Sequence, residues 1–414
     1  MLTWLEISKS ALIHNLRQFR KIIGSKIKLM AVVKSNAYGH GMIECAKIFE
    51  KNGADYLGVV NLDEALQLRR NNLKKPILVL TFWPTPMNYP ASAEPRFSSG
   101  EFQRITNKKI EEAIKKNIEF CAYTDQQLDF LAKISQKIGK KAKIHLKIDT
   151  GTSRIGVLPE NSLNFALKCL KLPNLELKGI FTHFAKSEAY NQKYTLLQTR
   201  RLKKIAQEII LKTAPNLFSR VLKFNATADK NKTILPIIHA ACTASTIINS
   251  MTHFDLVRIG IGLYGLWPSQ ATKHYGASSS VVLKSALTWK TRVIQVKELS
   301  KGTPIGYDCT YRCKKRTKIA ILPVGYWDGY DRKLSNCGEV LIRGRRAPVR
   351  GRICMNLTIV EVTKIPGVKV GDEVVLIGRQ NDKEITAEEL AEKIGTINYE
   401  IVTRINPQLS RIYK

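Results

Sequence analysis

Eight short apolar segments, separated by polar stretches, are the sequence feature that most restricts how this chain can fold. They span residues 28–34, 56–60, 76–83, 118–123, 143–150, 177–184, 237–242 and 256–265. Nearly continuous apolar runs of this length are typical of parallel strands that are buried on both faces. The stretches between them, such as 107–117 and 125–138, repeat apolar residues at helical spacing and carry lysines on the opposite face.

This alternation indicates an α/β fold. Eight strand–helix repeats in about 250 residues match the size of a TIM barrel, although a doubly wound open sheet produces the same alternation. Beyond residue 280 the pattern changes to short strands separated by turns, at 281–297, 318–324, 339–342, 357–362 and 373–377. We therefore predict a TIM (β/α)8 barrel over residues 1–278, followed by a mostly β domain over residues 279–414.

Two segments interrupt the predicted barrel. Residues 82–100 are rich in proline and serine and have no periodicity, which predicts an inserted surface loop. Residues 225–233 form a second polar interruption before the seventh strand.

The chain is strongly basic, with 67 Lys and Arg residues against 34 Asp and Glu, a formal net charge of +33. Such a charge first suggests a nucleic acid, a membrane surface or an acidic substrate. The hydrophobic fraction of 44% and charged fraction of 24% are instead those of an ordinary folded enzyme. Because the basic residues are spread along the whole chain without an aromatic-interleaved patch, we predict no nucleic-acid partner.

The cysteine pattern and the absence of long apolar runs indicate the cellular compartment in which the protein is expected. The eight cysteines are scattered, and no C-x-x-C pair occurs among them, so we predict neither a disulfide framework nor a metal site. No apolar run is long enough to cross a bilayer, and the first residues lack the pattern of a signal peptide. The expected protein is cytoplasmic, with no membrane partner.

Reactive side chains follow the predicted strands, at the end where TIM barrels carry their active sites. Lys34 closes the first strand, His183 ends the sixth, Thr243 follows the seventh and Arg258 belongs to the eighth. Burial at a strand end lowers the pKa of a lysine, and a Schiff-base lysine requires a lowered pKa. A lysine that simply reaches solvent is the alternative for Lys34.

The segment from Gly260 to Gly265 formally matches G-x-G-x-x-G and follows a strand. No Asp or Glu occurs between Gly265 and Glu298, so the acidic ribose partner of a dinucleotide site is missing. The same glycines can instead present backbone N–H groups to a single phosphate.

Eight ordered segments resemble the bacterial alanine racemases. The first, AVVKSNAYGHG at 31–41, resembles the pyridoxal-phosphate attachment motif of that family. The others are HLKIDTGTSRIG (145–156), GIFTHFA (179–185), RIGIGLYG (258–265), GYDCTYR (306–312), PVGYWDGYDRKLSN (323–336), RAPVRGRICMN (346–356) and TINYE (396–400). The match covers nearly the whole chain, and the family fold, a TIM barrel followed by a β domain, agrees with the predicted architecture.

The resemblance implies that pyridoxal 5'-phosphate is the cofactor and that Lys34 holds it as an aldimine. The residues implied to hold its phosphate are Tyr38, Thr243, Gly260, Ile261 and Tyr399. Arg258 would face the pyridine nitrogen and, because a guanidinium stays protonated, would limit the charge that the ring absorbs. His183 is also expected to contact the cofactor.

The resemblance further implies two acid–base groups, because racemisation removes a proton from one face of the α-carbon and delivers one to the other. Lys34 matches one group and Tyr307 the other. In the family this tyrosine comes from the partner subunit, so we expect a homodimer with composite active sites. A tyrosine needs cationic neighbours to act as a base near neutral pH, and His183 and Arg258 are the candidates. His239 either supports them or is an ordinary core histidine.

For the substrate carboxylate, the resemblance implies Arg154, a planar bidentate donor, assisted by the backbone N–H of Met355 from the partner subunit. Lys147 matches a lysine that is carbamylated in several family members, where the new carboxylate braces the arginine. An unmodified lysine that faces solvent is the alternative for Lys147.

The predicted function is the interconversion of L- and D-alanine by a Lys/Tyr two-base mechanism, supplying D-alanine for peptidoglycan synthesis. One alternative is a racemase of another or broader amino-acid range, such as serine or lysine. A second is a non-catalytic pyridoxal-phosphate carrier related to the one-domain barrel proteins of the same fold, and the extra β domain with Tyr307 argues against it.

Overall fold

The barrel predicted from the eight apolar runs is present. The computed structural model describes residues 1–83, 99–213, 235–278 and 280–414. Strand β1, Trp4–Ile7, lies outside the barrel. The closed parallel barrel consists of β2 Lys28–Val32, β3 Tyr56–Val59, β4 Ile77–Val79, β5 Ile118–Ala122, β6 Ala142–Lys147, β7 Leu175–Phe181, β8 Ile237–His239 and β9 Leu256–Ile259. Six of the predicted runs contain one of these strands and the other two overlap β6 and β7, which begin one and two residues earlier, so the α/β barrel is confirmed.

Amphipathic helices cover the barrel and the second region. They span Lys9–Ile23, Met42–Lys51, Leu62–Arg70, Ser99–Lys115, Asp125–Ile138, Ser162–Lys171, Lys193–Thr213, Thr243–Ile248, Gln270–Ser278, Ala387–Ile394 and Asn398–Thr403. The two helices predicted from apolar periodicity are therefore confirmed. The helix Asp125–Ile138 begins at a capping box between Thr124 and Gln127 and ends at Gly139, whose φ is 66°. Within the described ranges, no helix is both long and apolar enough to span a membrane.

The chain after the barrel is mostly β, as predicted. Its strands are β10 Leu287–Arg292, β11 Gln295–Leu299, β12 Pro304–Ile305, β13 Tyr311–Arg312, β14 Thr317–Leu322, β15 Glu339–Ile342, β16 Arg345–Pro348, β17 Thr358–Glu361, β18 Glu373–Gln380, β19 Lys383–Ile385 and β20 Arg411–Tyr413. One sheet has the order β16-β15-β18-β10-β1-β20, with β19 beside β18. A second sheet has the order β11-β14-β17, and β12 pairs with β13.

The first strand of the chain belongs to the second region, which the sequence analysis did not predict. β1 pairs antiparallel with β10 and parallel with β20. The chain therefore starts in the β region, crosses to the barrel through the helix Lys9–Ile23, and returns after the helix Gln270–Ser278. The domain division at residues 278 and 279 stays a prediction.

The two regions meet beside the barrel mouth. Leu5, Trp289 and Ile259 belong to one continuous cluster of buried apolar side chains. The Tyr413 hydroxyl donates to the His40 carbonyl at 2.8 Å, and the Arg411 Nε–H donates to the Gly39 carbonyl at 2.8 Å. The C-terminal strand thus holds the turn that follows the first barrel strand.

The two predicted interruptions lie largely outside the described residues. Of the predicted loop at 82–100, residues 84–98 are outside, and the polar segment 225–233 is outside entirely.

Candidate active site

A cavity of about 620 Å³ opens at the carboxyl ends of the barrel strands. Its walls bring together ten of the twelve predicted site residues. They are Lys34, Tyr38, Lys147, Arg154, His183, Thr243, Arg258, Gly260, Ile261 and Tyr399. Nine of these come from barrel strands or the loops after them, and Tyr399 comes from the helix Asn398–Thr403 of the second region. These residues are far apart in the sequence, and closure of the barrel places them around one cavity.

Lys34 begins a left-handed turn that directly follows β2. The four residues Ser35 to Tyr38 have φ values of 54°, 54°, 53° and 52°. Left-handed conformation costs residues with a side chain about 1–2 kcal/mol each. The Ser35 N–H donates to Glu64 Oε1 at 2.7 Å, and the Met42 N–H donates to Asn36 Oδ1 at 3.0 Å, which holds the turn in place. Backbone strain of this kind persists where surrounding contacts fix it, typically at functional sites.

Five basic side chains line the same cavity: Lys34, Lys147, Arg154, Lys186 and Arg258. Burial, together with the charge of Arg154, lowers the pKa of Lys34. Burial and the charges of Arg154 and Arg258 lower the pKa of Lys147 to about 8. Close to neutral pH, each lysine therefore gives up its proton more readily than a lysine in water. The cavity is suited to an anionic ligand and to amine chemistry.

Arg258 is buried and has partners on both sides. Its Nη1 lies 2.8 Å from His239 Nδ1, and its Nη2 donates to the carbonyls of Thr182 and Ala240, both at 2.7 Å. The guanidinium also lies over the Phe181 ring, 5.4 Å from its centroid. Burial lowers its pKa to about 10, so the group stays charged at neutral pH and its orientation is fixed.

The turn after β9 forms a narrow cradle. Thr243 Oγ1 accepts a hydrogen bond from the Gly260 N–H at 3.1 Å. A Cβ on residue 260 would lie 2.3 Å from the Tyr38 hydroxyl, so only glycine fits there. The Tyr38 and Tyr399 rings lie 6.1 Å apart, which brings two phenols to the same end of the cavity as the Thr243 hydroxyl.

Arg154 lies at the exposed edge of the cavity, on a loop organised by Asp149. Asp149 Oδ1 accepts the N–H groups of Gly151, Thr152 and Ser153, and Oδ2 accepts that of Arg154 at 3.1 Å. Burial opposes ionisation of this carboxyl, but the four N–H donors outweigh it and lower the pKa of Asp149. One carboxylate thus determines where the loop that carries Arg154 lies.

His183 is neutral in this environment. Burial first, and then the charges of Arg258, Arg154, Lys147 and Lys34, lower the pKa of His183 well below its usual value. The expectation that His183 serves as a cationic neighbour of a catalytic tyrosine is therefore wrong, because the site already holds too much positive charge. Arg258 remains the charged candidate.

The other two predicted residues lie apart from the cavity, on a face of the second region. The side chains of Tyr307 and Met355 are 68% and 54% exposed, and neither lines the cavity. They belong to one surface because Arg352 Nε donates to Asp308 Oδ2 at 2.7 Å, joining the turn of Tyr307 to the segment before Met355. One chain therefore brings together only part of the predicted site.

Two residues that line the cavity, Phe181 and Glu188, were not predicted from the sequence. The Phe181 ring supports both Lys147, at 5.5 Å from its centroid, and Arg258, and it stacks on His239 with centroids 4.7 Å apart. Glu188 lines the cavity, and its Oε1 accepts from the Tyr399 hydroxyl at 3.4 Å. Phe181 looks like an ordinary core residue of an apolar strand, and nothing in its sequence context distinguishes it.

Comparison with known families agrees with this geometry. The model of the alanine racemase N-terminal domain matches residues 7–99 and 99–220, and that of the alanine racemase C-terminal domain matches residues 286–413. An alanine racemase of Methanococcus maripaludis is 38% identical over 411 residues, covering 99% of this chain and 98% of the relative.

Solved structures give the same result. An alanine racemase of Clostridium difficile superposes with a TM-score of 0.84 at 31% identity, covering 100% of this chain and 96% of the other. An alanine racemase from Bacillus anthracis with bound L-Ala-P superposes with a TM-score of 0.80 at 34% identity, covering 100% and 95%. The chain belongs to the alanine racemase family, which consists of pyridoxal-phosphate-dependent isomerases.

Proposed function

We propose that this isomerase interconverts L- and D-alanine with two bases, Lys34 of one subunit and Tyr307 of the partner subunit. The observation that supports the proposal is the division of the predicted site. Lys34 lies in a cavity with four further basic side chains, while Tyr307 of the same chain is exposed on another face. A racemase needs a proton donor on each side of the α-carbon, so a second copy of the chain has to supply the second group.

The cavity fits pyridoxal 5'-phosphate, which we propose as the cofactor. When bound, this cofactor withdraws electrons from the α-carbon of an amino acid and makes its proton acidic. Lys34, with its lowered pKa, is the residue that would bond to it. The five basic side chains suit its negative charge, and the narrow cradle at Gly260 leaves room for a phosphate where a Cβ would collide with Tyr38.

The cradle residues would hold the phosphate. Thr243, Gly260 and Ile261 supply hydroxyl and backbone groups at the start of a 3₁₀ turn, and Tyr38 and Tyr399 supply phenols. Burial raises the pKa of both tyrosines, so they remain neutral donors at neutral pH. Neutral donors bind a phosphate without adding to the positive charge of the site.

Arg258 would contact the pyridine nitrogen, with neutral His183 beside the ring. The guanidinium keeps its proton, so it does not transfer that proton to the ring nitrogen. Arg258 therefore limits the charge that the ring accepts, and the proton transfers stay with Lys34 and with Tyr307 of the partner subunit. Arg258 is also the cation that favours the deprotonated form of that tyrosine.

Arg154 would bind the substrate carboxylate at the cavity edge, with the backbone N–H of Met355 of the partner subunit beside it. Lys147 lies in the same cavity with a pKa of about 8, so a reactive free amine is present near neutral pH. We propose that it reacts with carbon dioxide, releasing a proton and forming an N–C bond. The resulting carbamate would then offset the charge of Arg154.

The proposed setting is cytoplasmic, where D-alanine would supply peptidoglycan synthesis. All eight cysteines have free thiols, in keeping with a reducing compartment.

Subunit complementation tests the composite site. Chains carrying Lys34→Ala and Tyr307→Phe are co-expressed with different affinity tags, and the heterodimer is purified by both tags. Each homodimer should be almost inactive, because both of its sites lack one base. The heterodimer has one site with both bases, so it should recover about half of the wild-type rate, as two-fold symmetry requires.

A heterodimer as inactive as the two homodimers contradicts the composite site, provided that sedimentation shows it to be dimeric. The products are followed by chiral chromatography with alanine, serine and lysine. Faster conversion of serine or lysine than of alanine would reassign the substrate, and the shared site would still stand. A Tyr307→Phe homodimer with full turnover would remove the tyrosine from the mechanism.

A further inference from the structure

A row of polar side chains crosses the inside of the barrel from the cavity to a buried carboxylate. Arg258 Nη1 lies 2.8 Å from His239 Nδ1, and His239 Nε2 lies 3.0 Å from His145 Nδ1. His145 Nε2 lies 2.8 Å from Glu119 Oε2. All four side chains are buried, both histidines completely. The interior of such a barrel is usually filled by branched apolar residues, so this row requires an explanation.

A glycine makes room for the row. His145 is on β6 and His239 is on β8, so the bond between their rings has to pass over β7. The β7 residue paired with His145 is Gly179. A Cβ at that position would lie 2.3 Å from His145 Nδ1, the nitrogen that bonds to His239. Any side chain at residue 179 would displace the ring.

Only one hydrogen assignment satisfies all three bonds. A guanidinium donates and never accepts, so His239 Nδ1 has to be the acceptor. Burial and the charge of Arg258 lower the pKa of His239 well below its usual value, so its single hydrogen is on Nε2. His145 Nδ1 must then accept, His145 Nε2 must donate, and Glu119 Oε2 must accept. Every bond donates in the same direction, away from the cavity.

We infer that Glu119 is a positioning residue for Arg258, acting through two neutral histidines whose tautomers it fixes. This inference rests on the proposed function, in which Arg258 contacts the cofactor. An unpaired buried carboxylate is the most costly, and a buried N–H without an acceptor is also unfavourable. Without an acceptor at residue 119, His145 would turn or move its hydrogen to Nδ1. The hydrogen on His239 Nε2 would then face another hydrogen, and Arg258 would lose one side of its support.

Two substitutions at Glu119 distinguish the effect of its hydrogen bond from the effect of its charge. Glu119→Gln keeps an acceptor oxygen without the charge, and Glu119→Leu keeps a similar volume without an acceptor. Glu176→Gln is the matched control, because Glu119 and Glu176 are both paired with Lys143, from β5 and β7 on either side of β6. Glu176 interacts with Lys178 instead of the row.

Histidine tautomers are read from long-range ¹H–¹⁵N spectra of the full chain labelled at histidine, without cofactor. Signals are assigned with His145→Gln and His239→Gln. Wild type, Glu119→Gln and Glu176→Gln should show Nε2–H tautomers at both rings. Glu119→Leu should change the signals of both rings and weaken the binding of added pyridoxal 5'-phosphate about tenfold, the usual cost of an orphaned buried group. If Glu119→Leu does not fold, Gly179→Ala replaces it and should break the next bond of the row, between His145 Nδ1 and His239 Nε2.

Three results overturn the inference. They are Nδ1–H tautomers in the wild type, unchanged histidine signals in Glu119→Leu or Gly179→Ala, and a Glu119→Gln variant that changes the signals as strongly as the leucine variant does. The tautomers are measured without turnover, so they report on the row whatever the substrate is. Failure of the heterodimer experiment with normal tautomers would refute the composite site and leave the row intact.

Discussion

The barrel mouth and the face that carries Tyr307 differ in how complete they are within one chain. At the mouth, Arg258 is held by residues at the ends of β7 and β8, Asp149 accepts the backbone N–H of Arg154, and burial has already lowered the pKa of Lys34. On the other face, Tyr307, Met355 and Trp327 point outward, with Trp327 59% exposed. The first region is organised to do chemistry, and the second is organised to meet another surface.

This difference determines where the reaction can be controlled. The pKa values at the mouth arise from burial inside one chain, so they are set when the chain folds. A tyrosine that is exposed on its own chain is not desolvated there, so its reactivity depends on what it meets. In the proposed dimer, the phenol of Tyr307 of the partner subunit would lie close to Arg258 and its neutral histidines. Substitutions in the two regions should therefore reduce the enzymatic activity in different ways.

The largest effect is expected at the barrel mouth, from Lys34→Ala. The substitution removes both the group that would bond to the cofactor and one base, so the rate should fall by about 10⁴-fold or more, at the top of the range for a general acid–base group. Absorbance of the bound cofactor should be lost as well. Lys301→Ala, an exposed lysine of the second region, is the control and should keep full activity. Substantial turnover by Lys34→Ala would exclude this lysine as a base.

A smaller and more selective effect is expected from Tyr307→Phe on the exposed face. Racemisation should fall by about 10²–10³-fold, because one general acid–base group is lost while the barrel mouth is unchanged. Lys34 should still exchange the α-proton of one enantiomer with solvent, which NMR in deuterated water would detect as deuterium incorporation without inversion. Tyr275→Phe, at a partly exposed tyrosine of the helix Gln270–Ser278 that does not line the cavity, is the control. Equal loss of exchange for both enantiomers would contradict the division of labour between the two bases.

The sequence predicted the barrel well because strands buried on both faces produce apolar runs. It missed β1, because four residues, WLEI, give little signal, and their partners β10 and β20 lie at the other end of the chain. It also missed the left-handed turn after Lys34, since Ser35, Asn36 and Ala37 include no glycine to announce positive φ. Contacts made elsewhere in the fold impose that conformation.

The candidate site shows the same limit. Motifs placed Lys34, Arg154 and Arg258 in one cavity, but spacing contains no information on electrostatics, and the expected charge on His183 was wrong. Glu119 was not predicted to be a functional residue, although a carboxylate within an apolar strand was a usable signal. Its link to His145 exists because β5 and β6 pair side by side in the barrel, and no local pattern predicts a bond between residues on neighbouring strands.

The smallest effect is expected from Asp149→Asn, which tests whether the barrel mouth is organised as finely as its contacts indicate. The amide keeps one acceptor oxygen and loses the other, so the loop of Arg154 should loosen and the KM for alanine should rise about fivefold to tenfold, with a smaller change in kcat. Thr152→Ala, on the same loop, is the control, because its backbone N–H to Asp149 remains. An equal rise in KM for both variants would mean that general loosening of the loop, rather than the carboxylate, is responsible.

The pH dependence of stability gives the same carboxylate a second test. The pKa of Asp149 is lowered in the folded chain, so this residue stabilises the fold above its unfolded pKa of about 3.9. That contribution disappears as the pH falls through the lower folded pKa. Between pH 5 and pH 3, about the range in which the carboxyl protonates, wild type should therefore lose more stability than Asp149→Asn. The free energy of unfolding of both proteins is measured by chemical denaturation across that range. An equal loss in the two proteins would show that the four N–H groups do not hold the carboxylate in its charged form. Asp149 would then not be the residue that positions the loop of Arg154.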